Sequence, residues 1–475
     1  MKPTARIDFS KPLRPWDGFG VNYVEVSQTR DYANQPQEYG GFSYLSETQR
    51  QEIIDLTFGE DGLKPGLVKM FQDCWQQAEP GPGYNYDPSV SDPSSYDHET
   101  TTQWMRYFVR EGLKLTRQRG DDLAIVTALY GPPAWMTQQK IVRGRDIDPA
   151  LKTEVAKYMI AWTKWLREAE GFPVQYISLH NEGEDWLRWP LDGDGPGSAD
   201  HDYNLYWPPE QVADFIKFMP SMLQAQGLDE VGVTPGETSN WYRFHSWGYA
   251  DAIVDDPEAL RNLGLITSHG FYGMDHHSEW FGDWRSIGID SLREQRPELH
   301  TWVTSTSWSQ MDVFFVNEIR NSIYSAKVNG IIPWATIQLQ GHWEGGDPNP
   351  GTAFKVWDDG RYEIAAGYYY YKQVCRAGQA GMQVCKVAVN DHKSGLIAFG
   401  SGDSDSPESF VLLNLWDREQ GFDLEVLGSS SEAFCAYRTG PEEQYIKLAD
   451  LRLEDGRGSY TAPALSVTTF FAQSR

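Results

Sequence analysis

The chain is poor in cysteine: its 475 residues include only Cys74, Cys375, Cys385 and Cys435. Four thiols so widely spread do not make the disulfide framework of a small secreted scaffold, and their spacing matches no zinc-ligand pattern. They read as isolated buried or free thiols, with a Cys375–Cys385 bridge as the alternative. Basic charge is scarce as well. Lys and Arg number 41 against 67 Asp and Glu, a net charge of −26, and no Lys/Arg-rich run occurs, so a nucleic-acid backbone or an anionic membrane surface is repelled. Long apolar runs are missing too. Nothing approaches the roughly 18 apolar residues a spanning helix requires. The opening Met-Lys-Pro-Thr-Ala-Arg-Ile-Asp-Phe has no apolar signal core. The expectation is a soluble chain, cytoplasmic or exported with its signal removed, with neither nucleic acid nor membrane as partner. No internal repeat is visible, and oligomeric state is unreadable.

What the chain does have is an ordinary globular composition, 40% hydrophobic and 23% charged, which excludes disorder and supplies a sizeable core. Aromatic residues reach 14%, with 19 Trp, 25 Tyr and 21 Phe. Flat rings beyond the needs of a core suit a cleft that holds sugars, and the acidic balance favours a neutral ligand.

Short apolar runs alternate with amphipathic helical stretches along most of the chain. The strand candidates are residues 18–24, 66–71, 123–129, 174–180, 231–235, 265–269, 300–304 and 331–337. Helical candidates include 46–58, with Ser46 and Gln49 in capping-box spacing, and 101–119, 150–169, 208–226 and 313–328. Eight strands separated by helices predict an α/β fold, a (β/α)8 barrel. After about residue 380 the pattern turns to short β-rich pieces with Gly/Ser/Asp turns: 395–399, 409–415, 422–426, 433–437 and 466–471. These predict a small β-sandwich, to which residues 6–9 can add a strand. The expected division is a barrel over 17–372 and a side domain made of 1–16 and 373–475.

Catalytic groups of such barrels project from the C-terminal ends of the strands. The fourth strand ends in His180-Asn181-Glu182, a carboxylate suited to general acid/base work beside an amide able to bind a sugar hydroxyl. Taken alone, an Asn-Glu pair reads as the start of a polar surface loop; its position changes that reading. The third strand runs into Pro132-Pro133-Ala134-Trp135-Met136, where two prolines stiffen a loop and Trp135 offers a stacking wall. The sixth ends in His269-Gly270-Phe271-Tyr272, where Tyr272 can hydrogen-bond a catalytic carboxylate and hold it ionised. In isolation His269 reads as a satisfied structural histidine. The eighth contributes Trp334 and, beyond it, Trp343 and Glu344. Asp73 follows the second strand. The segment 183–207 carries Trp186, Trp189, Tyr203, Tyr206 and Trp207, a concentration of rings that argues against disorder and for substrate subsites. Trp75, Trp241, Tyr242 and Trp308 lie on other strand-end loops, and about half of all these rings are expected simply to pack the rim.

Other motifs are weaker. Asp192-Gly193-Asp194-Gly195 opens like a calcium loop, but Tyr203 stands at the twelfth position where a glutamate is needed. Asp275-His276-His277 are adjacent on a loop and do not converge on one ion, so no metal is expected. Ser305-Thr306-Ser307 lacks the Gly-x-Ser-x-Gly elbow of an acyl-transfer nucleophile.

Taken together, Asp17-Gly18-Phe19-Gly20, Pro132-Pro133-Ala134-Trp135-Met136, Leu179-His180-Asn181-Glu182, Trp302-Val303-Thr304 and the terminal Pro463-Ala464-x-Ser466-Val467-Thr468-Thr469-Phe470 resemble glycoside hydrolase family 30, of the clan A retaining glycosidases. The resemblance runs in order over almost the whole chain. It implies a (β/α)8 barrel with an attached β-sandwich, no cofactor, an oligosaccharide or polysaccharide substrate that is neutral and β-linked, and double displacement by two glutamates at the ends of strands four and seven. By position, Glu182 is the acid/base. Asn181 binds the hydroxyl beside the anomeric carbon, Tyr272 orients the nucleophile, and Trp135, His269, Trp334, Trp343, Asp73 and Trp186 complete the substrate-binding set. Strand seven departs from the pattern: Ser305 stands where the nucleophilic carboxylate belongs, and a serine forms neither the stabilising anion nor a labile glycosyl ester. The expectation is a retaining glycosidase nearly inactivated at its nucleophile. Three explanations stand. Ser305 replaces a parental glutamate by engineering, the carboxylate has moved to Glu237 or Glu344, or the chain is a natural carbohydrate binder without catalysis.

Overall fold

A computed structural model of the chain describes residues 2–25, 38–76, 96–140, 144–186, 205–272, 282–307, 310–341 and 351–473. Among these, eight parallel strands form the central sheet: β2 (Gly18–Asn22), β3 (Leu67–Gln72), β4 (Ala124–Leu129), β5 (Val174–Ser178), β6 (Gly232–Thr234), β7 (Ile266–Ser268), β8 (Thr301–Ser307) and β9 (Gly330–Trp334). Hydrogen-bonded neighbours run β6-β5-β4-β3-β2-β9-β8-β7. The two ends meet through parallel bridges at Val233–Leu263 and Thr238–Ser268, which makes the sheet a (β/α)8 barrel. All eight strands were legible because buried parallel strands read as near-continuous apolar runs.

Helices α1 (Glu47–Phe58), α2 (Gln103–Gln118), α3 (Lys152–Ala169), α4 (Pro209–Ala225), α5 (Trp241–Ser246), α6 (Tyr249–Val254), α7 (Pro257–Asn262), α8 (Ile287–Gln295) and α9 (Val313–Tyr324) connect successive barrel strands, with α5 to α7 together between β6 and β7, and α10 (Ala366–Ala377) follows the barrel. The capping box at α1 forms, with Ser46 and Gln49 satisfying each other's backbone amides. Inside the barrel, Leu67, Val126, Leu265, Trp302 and Ile332 make a buried apolar layer. Gly20 is required there, because a Cβ on it would sit 2.8 Å from the Leu67 carbonyl oxygen and 2.6 Å from the Ile332 side chain.

The second sheet joins β1 (Thr4–Pro15) to β13 (Gln383–Val389), β14 (Ser394–Gly400), β15 (Ser409–Asn414), β16 (Gln420–Leu427), β17 (Ala433–Gly440), β18 (Glu443–Lys447), β19 (Leu451–Arg452), β20 (Arg457–Ala462) and β21 (Ser466–Ala472). It folds over its own core. Phe422 of β16, Phe410 of β15, Phe434 of β17 and Phe470 of β21 share one cluster, and Phe410 stacks on Phe470 at 4.5 Å. A small sheet of β10 (Ile337–Leu339), β11 (Phe354–Val356) and β12 (Tyr362–Ile364) lies between the two in sequence. The four cysteines are free thiols, and Cys375 and Cys385 are both buried. Among the described residues no helix is long and apolar enough to cross a membrane.

Candidate active site

Strand geometry brings the acidic groups together at the C-terminal mouth of the barrel. Glu182 follows β5 in a left-handed conformation (φ 51°), a backbone cost of order 1–3 kcal/mol that persists only where the surroundings enforce it. The enforcing contacts are a Glu182 amide bond to the Glu237 carbonyl at 2.7 Å and a Glu237 amide bond to the His180 carbonyl at 2.8 Å. Gly236 makes the second segment possible. Its φ is +91°, and an added Cβ would lie 2.2 Å from the His180 ring, so only glycine fits.

At β8 the ladder with β9 is irregular. Val303 pairs with Ile331 and Thr306 with Pro333, so three steps on β8 match two on β9. Such a bulge re-aims a side chain; Ser305 sits within it, 1% exposed. Its hydroxyl donates to the Thr304 carbonyl at 2.5 Å and accepts from Lys69 Nζ at 3.0 Å.

Lys69, in the middle of β3, is the hub. It is fully buried, and its three N–H groups meet three acceptors: Ser305 Oγ, Asn181 Oδ1 at 3.2 Å, and Glu237 Oε2 in a close ion pair. His269 completes the network. Its Nδ1 lies 2.8 Å from Glu182 Oε1 and its Nε2 3.0 Å from Glu237 Oε2. One unbroken path therefore runs Glu182–His269–Glu237–Lys69–Ser305, with each member from a different strand or strand end.

Electrostatics follow from this wiring. Burial pushes the Glu237 carboxyl upward, but the Lys69 charge and the His269 hydrogen bond outweigh it and hold the group down at about 2. Burial likewise drives His269 toward its neutral form, yet hydrogen bonds to Glu182 and Glu237 prevail and its pKa lies above the ordinary histidine value. Glu237 Oε1 is buried and has no hydrogen-bond partner among the described residues, a situation that costs about 1–3 kcal/mol and calls for an explanation. Away from this network, burial raises Glu25, just past β2, to about 8 against the pull of the Met105 amide hydrogen bond, and the Asp73 charge adds to the rise.

Four residues singled out from sequence, Glu182, His269, Asn181 and Ser305, thus converge on Lys69 and Glu237. His269 stands between two carboxylates. Trp135 and Trp334 are buried, and Trp334 packs edge-on against Phe71, over which Lys69 Nζ lies at 4.9 Å. Asp73 is buried and accepts the Trp75 amide at 2.8 Å. Tyr272 is 37% exposed and stacks on Trp284 at 3.5 Å; Trp186 is 52% exposed near the Arg145 guanidinium. Trp343, Glu344, the Asp192–Gly195 segment, Asp275-His276-His277 and Trp308 lie outside the described residues. Lys69 was missed by the sequence reading. The signal was present, since a lysine inside the apolar run Leu67-Val68-Lys69-Met70-Phe71 of a parallel strand is tolerated only when paired.

Neither a known family model nor a curated protein matches the chain. Solved structures do. A family 30 endoxylanase from Clostridium papyrosolvens C71 superposes with a TM-score of 0.68 at 16% identity, covering 99% of this chain and 100% of its own. The endo-β1,6-glucanase BT3312 gives 0.70 at 14% identity, covering 99% and 94%. A family 44 endoglucanase from Clostridium acetobutylium ATCC 824 gives 0.55 at 10%, covering 99% and 100%. At such identities the likeness establishes the fold alone, a (β/α)8 barrel with an attached β-sandwich.

Proposed function

We propose that the chain is a glycoside hydrolase acting on a neutral β-linked oligo- or polysaccharide, with Glu182 as general acid and Glu237 as the second carboxylate. The carrying observation is the pair of buried carboxylates bridged by His269 at the barrel mouth. Two carboxyl groups and a means of protonating the leaving oxygen are what glycosidic cleavage requires. With one proton placed on either Glu182 or His269, the charges of Glu182, Glu237, Lys69 and His269 sum to zero, which suits an uncharged substrate. Of the explanations for Ser305, this favours a relocated carboxylate: Lys69 serves Glu237 and Ser305 together, and the serine's hydrogen bonds are satisfied.

The test is hydrolysis of β-1,4-xylan, β-1,6-glucan and aryl β-glycosides by the chain and two variants. Glu182→Gln is expected to lower turnover roughly 10²–10⁴-fold on natural substrates, and far less on dinitrophenyl glycosides, whose leaving group needs no proton. A large gain on Ser305→Glu would instead support replacement of a parental nucleophile. Oligosaccharide binding without turnover in every form would support a carbohydrate-binding protein.

A further inference from the structure

We propose that Glu184 is a positioning residue for the general acid: its side chain locks the segment that carries Glu182 to the segment that carries Glu237. This rests on the glycosidase reading above and goes beyond it, because that reading gives Glu184 no part.

The lock extends the pairing of the two strand ends. Past β5 and β6 the segments meet at the Asn181–Glu237 bridge, where the Glu182 amide donates to the Glu237 carbonyl at 2.7 Å. Two residues further along both segments, the Glu184 side chain makes the connection. Its Oε1 accepts the Ser239 amide at 2.9 Å, the Ser239 hydroxyl at 2.5 Å and an Arg243 guanidinium N–H at 2.9 Å. Ser239 is tied onward to the end of β7, its carbonyl accepting the Phe271 amide at 3.0 Å, while the Thr238 carbonyl accepts the His269 amide at 2.9 Å. Through one oxygen, Glu184 thus reaches the segment that also fixes His269.

Glu182 needs such a lock. It is left-handed, with φ 51°, and the next residue is Gly183, of the type that leaves a peptide most free to turn. Downstream of Glu182 the chain is held at Gly183, whose carbonyl accepts the Trp207 amide at 2.7 Å, and at Glu184. Trp207 belongs to the stretch leading into α4; Glu184 refers Glu182 directly to its neighbour Glu237. The bonding at Glu184 also serves aim more than charge pairing. Glu184 and Arg243 are both buried, and a buried arginine frequently engages both carboxylate oxygens in a fork. Here Arg243 Nη1 shares Oε1 with Ser239, and Oε2 is buried with no hydrogen-bond partner among the described residues. An unsatisfied buried oxygen costs stability; what the arrangement secures is the contact with Ser239. A general acid works only within hydrogen-bond reach of the oxygen it protonates, so a small turn at Glu182–Gly183 is felt where a proton must be delivered and not where none is needed.

Kinetics of Glu184→Gln on two classes of substrate test this. On β-1,4-xylo-oligosaccharides and β-1,6-gluco-oligosaccharides, whose leaving oxygen must be protonated, kcat is expected to fall roughly 10–10²-fold. On dinitrophenyl β-xyloside and β-glucoside it is expected to fall less than about threefold, with oligosaccharide binding by calorimetry retained. Adding Glu184→Gln to Glu182→Gln is expected to slow oligosaccharide cleavage little further, since the group being aimed is already gone. Because Glu184→Gln leaves Arg243 buried beside a neutral partner, the same assays on the double variant Glu184→Met, Arg243→Met, a kind of replacement that buried ion pairs often tolerate, are expected to show the same leaving-group selectivity. An equal loss on both classes, an undiminished kcat, or full additivity with Glu182→Gln overturns the positioning role and leaves the glycosidase reading intact. If neither variant folds, Glu184 is structural and the inference fails. If the parent chain hydrolyses none of these substrates, the glycosidase reading fails and the inference with it.

Discussion

The two ends of the barrel use the same chemistry under opposite conditions. At the floor, His300 Nδ1 lies 2.8 Å from Asp17 Oδ2, which also accepts Trp302 Nε1 at 2.7 Å; the histidine and aspartate side chains are 36% and 20% exposed. At the mouth, His269 bridges Glu182 and Glu237 with side chains 3%, 6% and 0% exposed. Water competes at the floor, so its His300–Asp17 hydrogen bond is interchangeable with solvation and contributes modestly. At the mouth no solvent stands in for a lost partner, so each group depends on the next.

Removing the hub should separate the two ends most. Lys69→Met leaves the Glu237 carboxylate buried with His269 as its remaining partner. The expected cost is about 3–5 kcal/mol of stability, together with loss of turnover, measured by denaturant midpoint and assay. A smaller change is expected in the pH profile. The raised pKa of His269 means its protonated form stabilises the fold fully below the ordinary value near 6.5. That contribution fades as pH climbs through the folded value. The depressed Glu237 acts in the opposite sense, contributing above its ordinary range and fading as pH falls toward about 2. The alkaline limb of kcat/KM should therefore lie above about 6.5, and His269→Gln should move it acidward; an unmoved limb would place the essential proton elsewhere. The smallest effect belongs to the floor. Asp17→Asn keeps an acceptor for Trp302 and should cost no more than about 1 kcal/mol, with turnover unchanged. A floor variant as costly as Lys69→Met would dissolve the distinction.

Much of this was legible in the chain. The barrel strands read as apolar runs, and Glu182 and Ser305 could be located because strand ends carry chemistry in this architecture. Glu237 was named as an alternative carboxylate without a way to choose it. The proposed choice rests on Lys69, which alternation alone leaves unassigned, and on His269, whose two nitrogens face groups 87 and 32 residues away. The bulge at residues 304–305 was also illegible, since a register shift depends on the partner strand rather than on local pattern. Long-range pairing, not local propensity, fixes these features.

The barrel's strand ladder is thinnest between β6 and β7, where isolated bridges replace a continuous pairing. Across that seam run the Thr267 hydroxyl bonds to Thr234 and to the Gly236 carbonyl at 2.9 and 2.7 Å, and the His269 bond to Glu237. The groups proposed to react are thus also the clasp of the cylinder: a chain that has not closed its circumference does not join Glu182 to Glu237 through His269.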